Sequence, residues 1–187
     1  MNSSLNYYFA LARSKESKHQ NILRDLKHLL KSLGVSEATV TLEDQYNLSA
    51  EEILKINTFF SSYLAGIPFD YILNESEFMG HKFFVDSRVL IPRPETELIV
   101  EWVLDLSLNK NSKIFEVGTG SGCIAISICL KDEDLKILAA DISDSALEVA
   151  QINQELHNAR NVTFMQSSWL TCSAENSLDL VISNPPY

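Results

Sequence analysis

Cysteine is sparse. The 187 residues contain three, Cys123, Cys129 and Cys172, an odd number without paired spacing. Neither a disulfide framework nor a zinc site is indicated, and a reducing cytoplasm is the expected location. Long apolar runs are missing too: none reaches the ~18–20 residues that a bilayer span needs. The N-terminal stretch MNSSLNYYFALARSKES lacks the basic-then-apolar order of a secretory signal. Basic side chains are outnumbered, 15 Lys+Arg against 25 Asp+Glu, for a net charge of −10. Residues 1–60 balance at 7 and 7, so the imbalance falls on residues 61–187, with 8 basic and 18 acidic. Such a surface repels phosphate backbones, which counts against a broad nucleic-acid footprint and favours a protein partner. Recognition of one flipped base stays open. His19, His28, His81 and His157 are scattered, and none is assigned to catalysis. Repeats and low-complexity segments are absent. What remains, 45% hydrophobic and 21% charged, can build one good core or two small ones.

The first part reads as helices. Leu5, Tyr8, Phe9 and Ala12 recur at helical spacing, as do Ile22, Leu23, Leu26, Leu29, Leu30 and Leu33, with Gly34 as a stop. Ser49-Ala50-Glu51-Glu52 is a capping box opening a helix whose Ile53, Ile56, Phe60 and Leu64 share a stripe. Gly66 and Pro68 end it. From Tyr71 to Leu90 the pattern changes to short β-like runs: Tyr71–Leu73, Glu77–Met79, Lys82–Val85 and Arg88–Leu90. They form a hairpin signature with a turn expected at Gly80-His81. Ile91-Pro92-Arg93-Pro94 must be extended, and Pro94 with Glu95 and Glu97 suits a helix start. Leu98, Ile99, Trp102, Val103 and Leu106 are the expected buried face of that helix. The chain then alternates: strands at Lys113–Val117, Lys136–Asp141, Val162–Gln166 and Leu178–Ser183, helices at Gly122–Leu130 and Ser145–His157. Alternation with apolar strands predicts an α/β class with a parallel sheet covered on both faces. Cys123 and Cys129 are expected as small core residues.

Chemistry enters at Glu116-Val117-Gly118-Thr119-Gly120-Ser121-Gly122, a strand running into a glycine-rich turn and a helix. Glycine permits the sharp turn and lets a ligand approach where a Cβ would clash. Asp141 ends the next strand and can hold both hydroxyls of a ribose. Together they predict an adenosine-bearing ligand in a Rossmann-like crevice. The G-x-G-x-G spacing leans from NAD toward S-adenosyl-L-methionine. A tight turn without a ligand is the bland alternative.

Asn184-Pro185-Pro186-Tyr187 follows the fourth strand, at the carboxyl edge where open sheets bind ligands. The prolines fix φ and hold backbone carbonyls at set angles. Asn184 adds a side-chain carbonyl, and Tyr187 a flat face for stacking. Such a set grips a planar NH₂ group by accepting both hydrogens, and favours the pyramidal nitrogen of a methyl-transfer transition state. No metal or strong base is needed, because the methylated nitrogen is acidic and sheds its proton late.

On these residues the chain resembles the release factor glutamine methyltransferase family (the HemK type). The resemblance also rests on the helical module, the hairpin around Glu77-Phe78, the Ile91–Glu97 stretch and Trp169, and covers essentially the whole sequence. It implies a helical substrate-recognition domain at 1–68, a β-hairpin linker at 69–93 and a Rossmann-like methyltransferase domain at 94–187. It implies transfer of a methyl group from S-adenosyl-L-methionine to the side-chain amide of the glutamine in the Gly-Gly-Gln loop of peptide chain release factors. S-adenosyl-L-homocysteine is then the product, and no metal, direct nucleic-acid contact or membrane is involved. By position, Glu116, Gly118, Thr119, Gly120, Ser121, Gly122, Asp141, Trp169 and Asn184 would bind the cofactor. Asn184, Pro185, Pro186 and Tyr187 would bind the glutamine, with Asn184, Pro185 and Tyr187 catalytic.

The sequence departs from the family pattern at Glu116 and Ser168, both commonly Asp, and at Asn74, usually Gly. Ser168 is the departure with consequences, because a hydroxyl accepts a hydrogen bond from an adenine amine more weakly than a carboxylate. The helical module is expected to dock the protein substrate. Four strands stand where such sheets carry about seven, and about 90 further residues would be needed at ~30 per strand–helix unit. The expectation is therefore a truncated chain, inactive by itself, with its fourth strand an open edge. Two other readings stay open: an amino-methyltransferase acting on a nucleic-acid base, and a non-catalytic fragment that only binds the donor or a partner.

Overall fold

The computed structural model describes residues 3–43, 46–168 and 177–185. The chain divides into two compact units, Met1–Leu73 and Asn74–Tyr187.

In the first unit, α1 (Leu5–Lys15), α2 (Ile22–Ser32), α3 (Glu37–Leu42), α4 (Ala50–Leu64) and α5 (Phe69–Leu73) pack around Leu5, Phe9, Ile22, Leu26, Leu30, Ile56 and Phe59. The capping box is formed: Ser49 Oγ accepts from the Glu52 N–H at 3.2 Å, and Glu52 Oε2 accepts from the Ser49 N–H at 2.7 Å. Phe59 rather than Leu64 completes the buried stripe of α4, because Leu64 is the last residue of the helix and is exposed. Tyr71–Leu73, expected as a strand, belongs to α5. Pro68 starts this turn, accepting from the N–H groups of Tyr71 and Ile72. Helix α3 was not expected; Ser36 caps it through the Thr39 N–H at 3.1 Å.

In the second unit, β1 (Ser76–Phe78) and β2 (His81–Phe83) form the expected hairpin. Its loop is Met79-Gly80, not Gly80-His81: both residues have positive φ, 53° and 75°, as the right-handed twist of a two-residue hairpin requires. Phe78 and Phe83 are fully buried in the core of the unit. Arg88–Leu90, expected as a strand, is irregular. Asp86 builds an Asx turn there, its carboxylate accepting from the Arg88 N–H at 3.0 Å. Asn74 takes φ 54°, a left-handed conformation that Asn tolerates in place of Gly.

A 3₁₀ turn, Pro94–Thr96, leads into α6 (Glu97–Asp105). Val100 and Val103 are its buried residues, while Leu98, Trp102 and Leu106 are exposed, Trp102 by 65%. The expected face is thus rotated, since apolar residues surround this helix and their spacing does not single out a side. Next come β3 (Ile114–Val117), α7 (Cys123–Lys131), β4 (Ile137–Asp141), α8 (Asp144–His157), β5 (Val162–Gln166) and β6 (Leu180–Ser183). The four strands form one sheet, in the order β5-β4-β3-β6, with every pair parallel. Cys123 and Cys129 are buried in its core; Cys172 lies outside the described residues. The strand order reverses between β3 and β6, and the carboxyl end of a parallel sheet at such a switch point is where ligands bind. No helix among the described residues is long and apolar enough to cross a membrane.

Candidate functional site

At the carboxyl ends of β3, β4 and β6 lies a crevice of about 340 Å³, within the range of small-molecule sites. Gly118 and Gly120 line it from β3, Asp141 and Ser143 from β4, Ser167 and Ser168 from β5, and Asn184 and Pro185 from β6. Arg88, Val89, Leu90 and Ile142 add to the wall. Leu90 and Ile142 bring exposed apolar surface, 54% and 71%.

Backbone bonds shape the glycine loop. The N–H groups of Gly118 and Thr119 both donate to the carbonyl of Ala140, at 2.8 and 3.0 Å, clasping the loop to the end of β4. Gly118, Gly120 and Gly122 all take positive φ, 71°, 56° and 78°. Their reasons differ. A Cβ on Gly118 or Gly120 would meet no protein atom within 4 Å, so the space beside the backbone is open to a ligand. A Cβ on Gly122 would come within 2.9 Å of Phe164 Cζ and 3.3 Å of Ala150 Cβ, so this glycine serves helix–sheet packing.

Asp141 joins two loops. Its Oδ2 accepts from the Gly120 N–H at 2.9 Å and its Oδ1 from the Ser143 N–H at 3.0 Å. Each oxygen keeps a lone pair for further donors, such as ribose hydroxyls. Glu116 lies beneath the loop and lines neither the crevice nor the small cavity beside it, being 1% exposed. Its carboxyl accepts from the Thr119 hydroxyl at 2.9 Å and from the Ala125 amide. Burial nevertheless pushes its pKa up to about 8, with the charge of Asp141 adding to the rise.

The small cavity, of about 50 Å³, runs from Leu90–Arg93 and Thr96 to Thr119, Ser121 and Asn184. Asn184 Nδ2 donates to Thr96 Oγ1 at 3.0 Å. Of the residues expected at the site, Gly118, Gly120, Asp141, Asn184 and Pro185 meet at the crevice, while Thr119 and Ser121 face the small cavity. Glu116 and Gly122 stand behind the loop; Trp169, Pro186 and Tyr187 lie outside the described residues.

Sequence reasoning missed Arg88, Thr96, Ile142, Ser143 and Asn153. Asn153 is fully buried: Oδ1 accepts from the Phe84 N–H at 2.6 Å, and Nδ2 donates to the carbonyls of Phe84 and Ser121, both at 2.9 Å. It ties the hairpin to the glycine loop. The signal was legible, since Asn153 continues the stripe Ala146, Val149, Ala150 of α8 as its one polar member. No group of three or more His, Cys, Asp or Glu among the described residues could hold a metal ion.

A family described as "Methyltransferase small domain" matches residues 95–187. The release factor glutamine methyltransferase of Buchnera aphidicola is 34% identical over 189 residues, spanning 98% of this chain and 67% of that protein. That of Chlorobaculum tepidum is 37% identical, over 83% of this chain and 56% of its own. The Flavobacterium psychrophilum protein of the same name is 46% identical, over 64% and 44%. The chain thus spans about half to two thirds of the length of these curated relatives. Similarity of this degree and extent, on a sheet whose glycine loop, second-strand acid and Asn-Pro turn share one crevice, places the chain in the release factor glutamine methyltransferase family.

Proposed function

We propose that this chain takes part in moving a methyl group from S-adenosyl-L-methionine to the side-chain amide nitrogen of the glutamine in the Gly-Gly-Gln loop of peptide chain release factors, in support of translation termination. The observation that carries this reading is the convergence of Gly118, Gly120, Asp141, Asn184 and Pro185 on one crevice. When bound, S-adenosyl-L-methionine supplies an electrophilic methyl on a sulfonium and leaves as S-adenosyl-L-homocysteine.

The residues fit that donor. Gly118 and Gly120 leave open space beside the backbone. Asp141 keeps acceptor capacity for a ribose, and Leu90 and Ile142 offer apolar surface to a flat ring. Asn184, extended before Pro185, and the proline-fixed carbonyl beside it accept the two N–H bonds of a glutamine carboxamide. Preorganised acceptors there stabilise the nitrogen as it pyramidalises, which lowers the barrier without a strong base. The proton leaves to water once the nitrogen is alkylated. Ser168, on the crevice wall, is the hydroxyl where the family commonly has a carboxylate, and it makes a weaker acceptor for an adenine amine. Residues 1–68, with their own core, dock the release factor, and residues 69–93 connect to the catalytic part at 94–187.

Radiolabelled methyl transfer tests the reading on the protein expressed from its whole reading frame. Label on a release factor, and none on its Gln→Ala variant or on DNA, is the expected result. Label on DNA alone contradicts it. For the docking role, deletion of residues 1–65 is expected to weaken release-factor affinity while donor affinity stays.

A further inference from the structure

We infer that Thr96 is a positioning residue for Asn184, an inference that rests on the function proposed above. Asn184 follows β6, and Pro185 restricts its backbone, but nothing in that restriction selects between the two ends of its carboxamide. The choice matters. A carbonyl oxygen turned to the crevice accepts from an NH₂ group, whereas an NH₂ turned there confronts the substrate's hydrogens with its own.

Thr96 holds the nitrogen end. Asn184 Nδ2 donates to its hydroxyl oxygen at 3.0 Å, which leaves Oδ1 at the far side of the carboxamide. Thr96 is itself 7% exposed and held in place. Its N–H donates to the Arg93 carbonyl at 2.9 Å, within a turn that opens on Pro94. The adjacent Glu97 Oε1 accepts from the Met79 N–H at 2.6 Å, tying the start of α6 to the hairpin loop. Asn184 is thereby oriented by a frame anchored in the hairpin and α6, and not by its backbone alone. The buried hydroxyl is also a specific probe, because valine has nearly the same shape and no oxygen.

The test compares wild type, Thr96→Val and Thr96→Ser, with ¹⁵N spectra assigning the Asn184 side-chain amide by its loss in Asn184→Asp. In wild type the Nδ2 proton that faces Thr96 is expected to exchange slowly. Thr96→Val speeds that exchange by about tenfold, the loss of one buried hydrogen bond, and Thr96→Ser restores it. With S-adenosyl-L-homocysteine bound, a Gly-Gly-Gln peptide then binds about tenfold more weakly to Thr96→Val, and kcat for methyl transfer falls in proportion. The affinity for S-adenosyl-L-homocysteine stays within about twofold, because Thr96 does not line the donor crevice. Thr96→Ala gives the same ordering should the valine variant not fold. An Asn184 amide spectrum indifferent to Thr96→Val, or unchanged peptide affinity and kcat, overturns the inference. A wild-type protein that neither binds the peptide nor transfers methyl contradicts the proposed function, while the amide spectrum still decides the geometry.

Discussion

Ser183 donates its hydroxyl to the carbonyl of Val117 at 3.1 Å, and the two residues are register partners in the parallel ladder. They are the last residues of β6 and β3, one step before Asn184 and one before Gly118. A side-chain bond therefore closes the sheet where the backbone ladder ends. The two loops that meet at the crevice leave from a common fixed point, so their spacing belongs to the sheet and not to loop conformation.

Asp141 bridges the glycine loop and the start of α8, and its loss should be felt in binding first. Asp141→Ala removes the carboxylate proposed to accept from a ribose and leaves the N–H groups of Gly120 and Ser143 without this acceptor. Affinity for S-adenosyl-L-homocysteine, measured by calorimetry, is expected to fall at least ~10-fold, since charge-assisted hydrogen bonds are worth roughly 1.5–3 kcal/mol. Binding that survives at wild-type strength would remove Asp141 from the site.

The three glycines of the loop separate stability from binding. Gly122→Ala combines positive-φ strain with overlap on Phe164, and a loss of ~2–4 kcal/mol in urea unfolding is expected. Gly118→Ala has the strain alone, ~1–2 kcal/mol, but its methyl group stands in the space left for a ligand. It should therefore cost more in donor affinity than in stability. Equal stability losses in the two variants would refute the distinction.

Local chemistry of this kind was readable from the residues alone. The Ser49 capping box, the glycine loop, Asp141 at a strand end and the Asn-Pro turn each announce themselves through neighbours a few positions away. What escaped depends on distant partners or on competing local patterns. Met79 adopts a left-handed conformation because the hairpin twist requires it, and nothing in a methionine side chain signals that. In α6, Leu98, Ile99, Val100, Trp102, Val103 and Leu104 are apolar on every side, so only packing decides that Val100 and Val103 turn inward. Thr96 is 88 positions from Asn184, and Asn153 is 69 from Phe84. No spacing rule reaches that far.

Glu116 makes the second unit pH-sensitive in an unusual direction. With its folded pKa pushed to about 8 by burial, from a usual value of 4.5, the folded state keeps a proton that the unfolded chain has lost. Its stabilising contribution is complete below pH 4.5 and is lost as pH rises to about 8, by up to ~1.4 kcal/mol per pH unit. Glu116→Gln, which has no proton to lose, should flatten this dependence. Urea midpoints at pH 5 and pH 8 are expected to show a smaller decline in the variant, and equal declines would assign the effect elsewhere.

Asn153 is expected to be the most costly polar residue to remove from α8. Asn153→Ala strands the N–H of Phe84 and the carbonyls of Phe84 and Ser121, with a predicted loss of ~3 kcal/mol or more. Because Ser121 belongs to the glycine loop, donor affinity should drop as well, under conditions where circular dichroism shows the protein still folded. Unchanged affinity in a folded variant would confine Asn153 to a structural role.

The central claim is that two loops from opposite sides of the switch point build one donor site. Titration of the ¹⁵N-labelled chain with S-adenosyl-L-homocysteine, followed by amide shifts, tests it most directly. The backbone amides of Gly118 and Gly120, that of Ser143 beyond β4 and the side-chain amide of Asn184 beyond β6 are expected to move together along one saturation curve. Shifts confined to the glycine loop while Asn184 stays still, or two curves of different midpoint, would contradict the account.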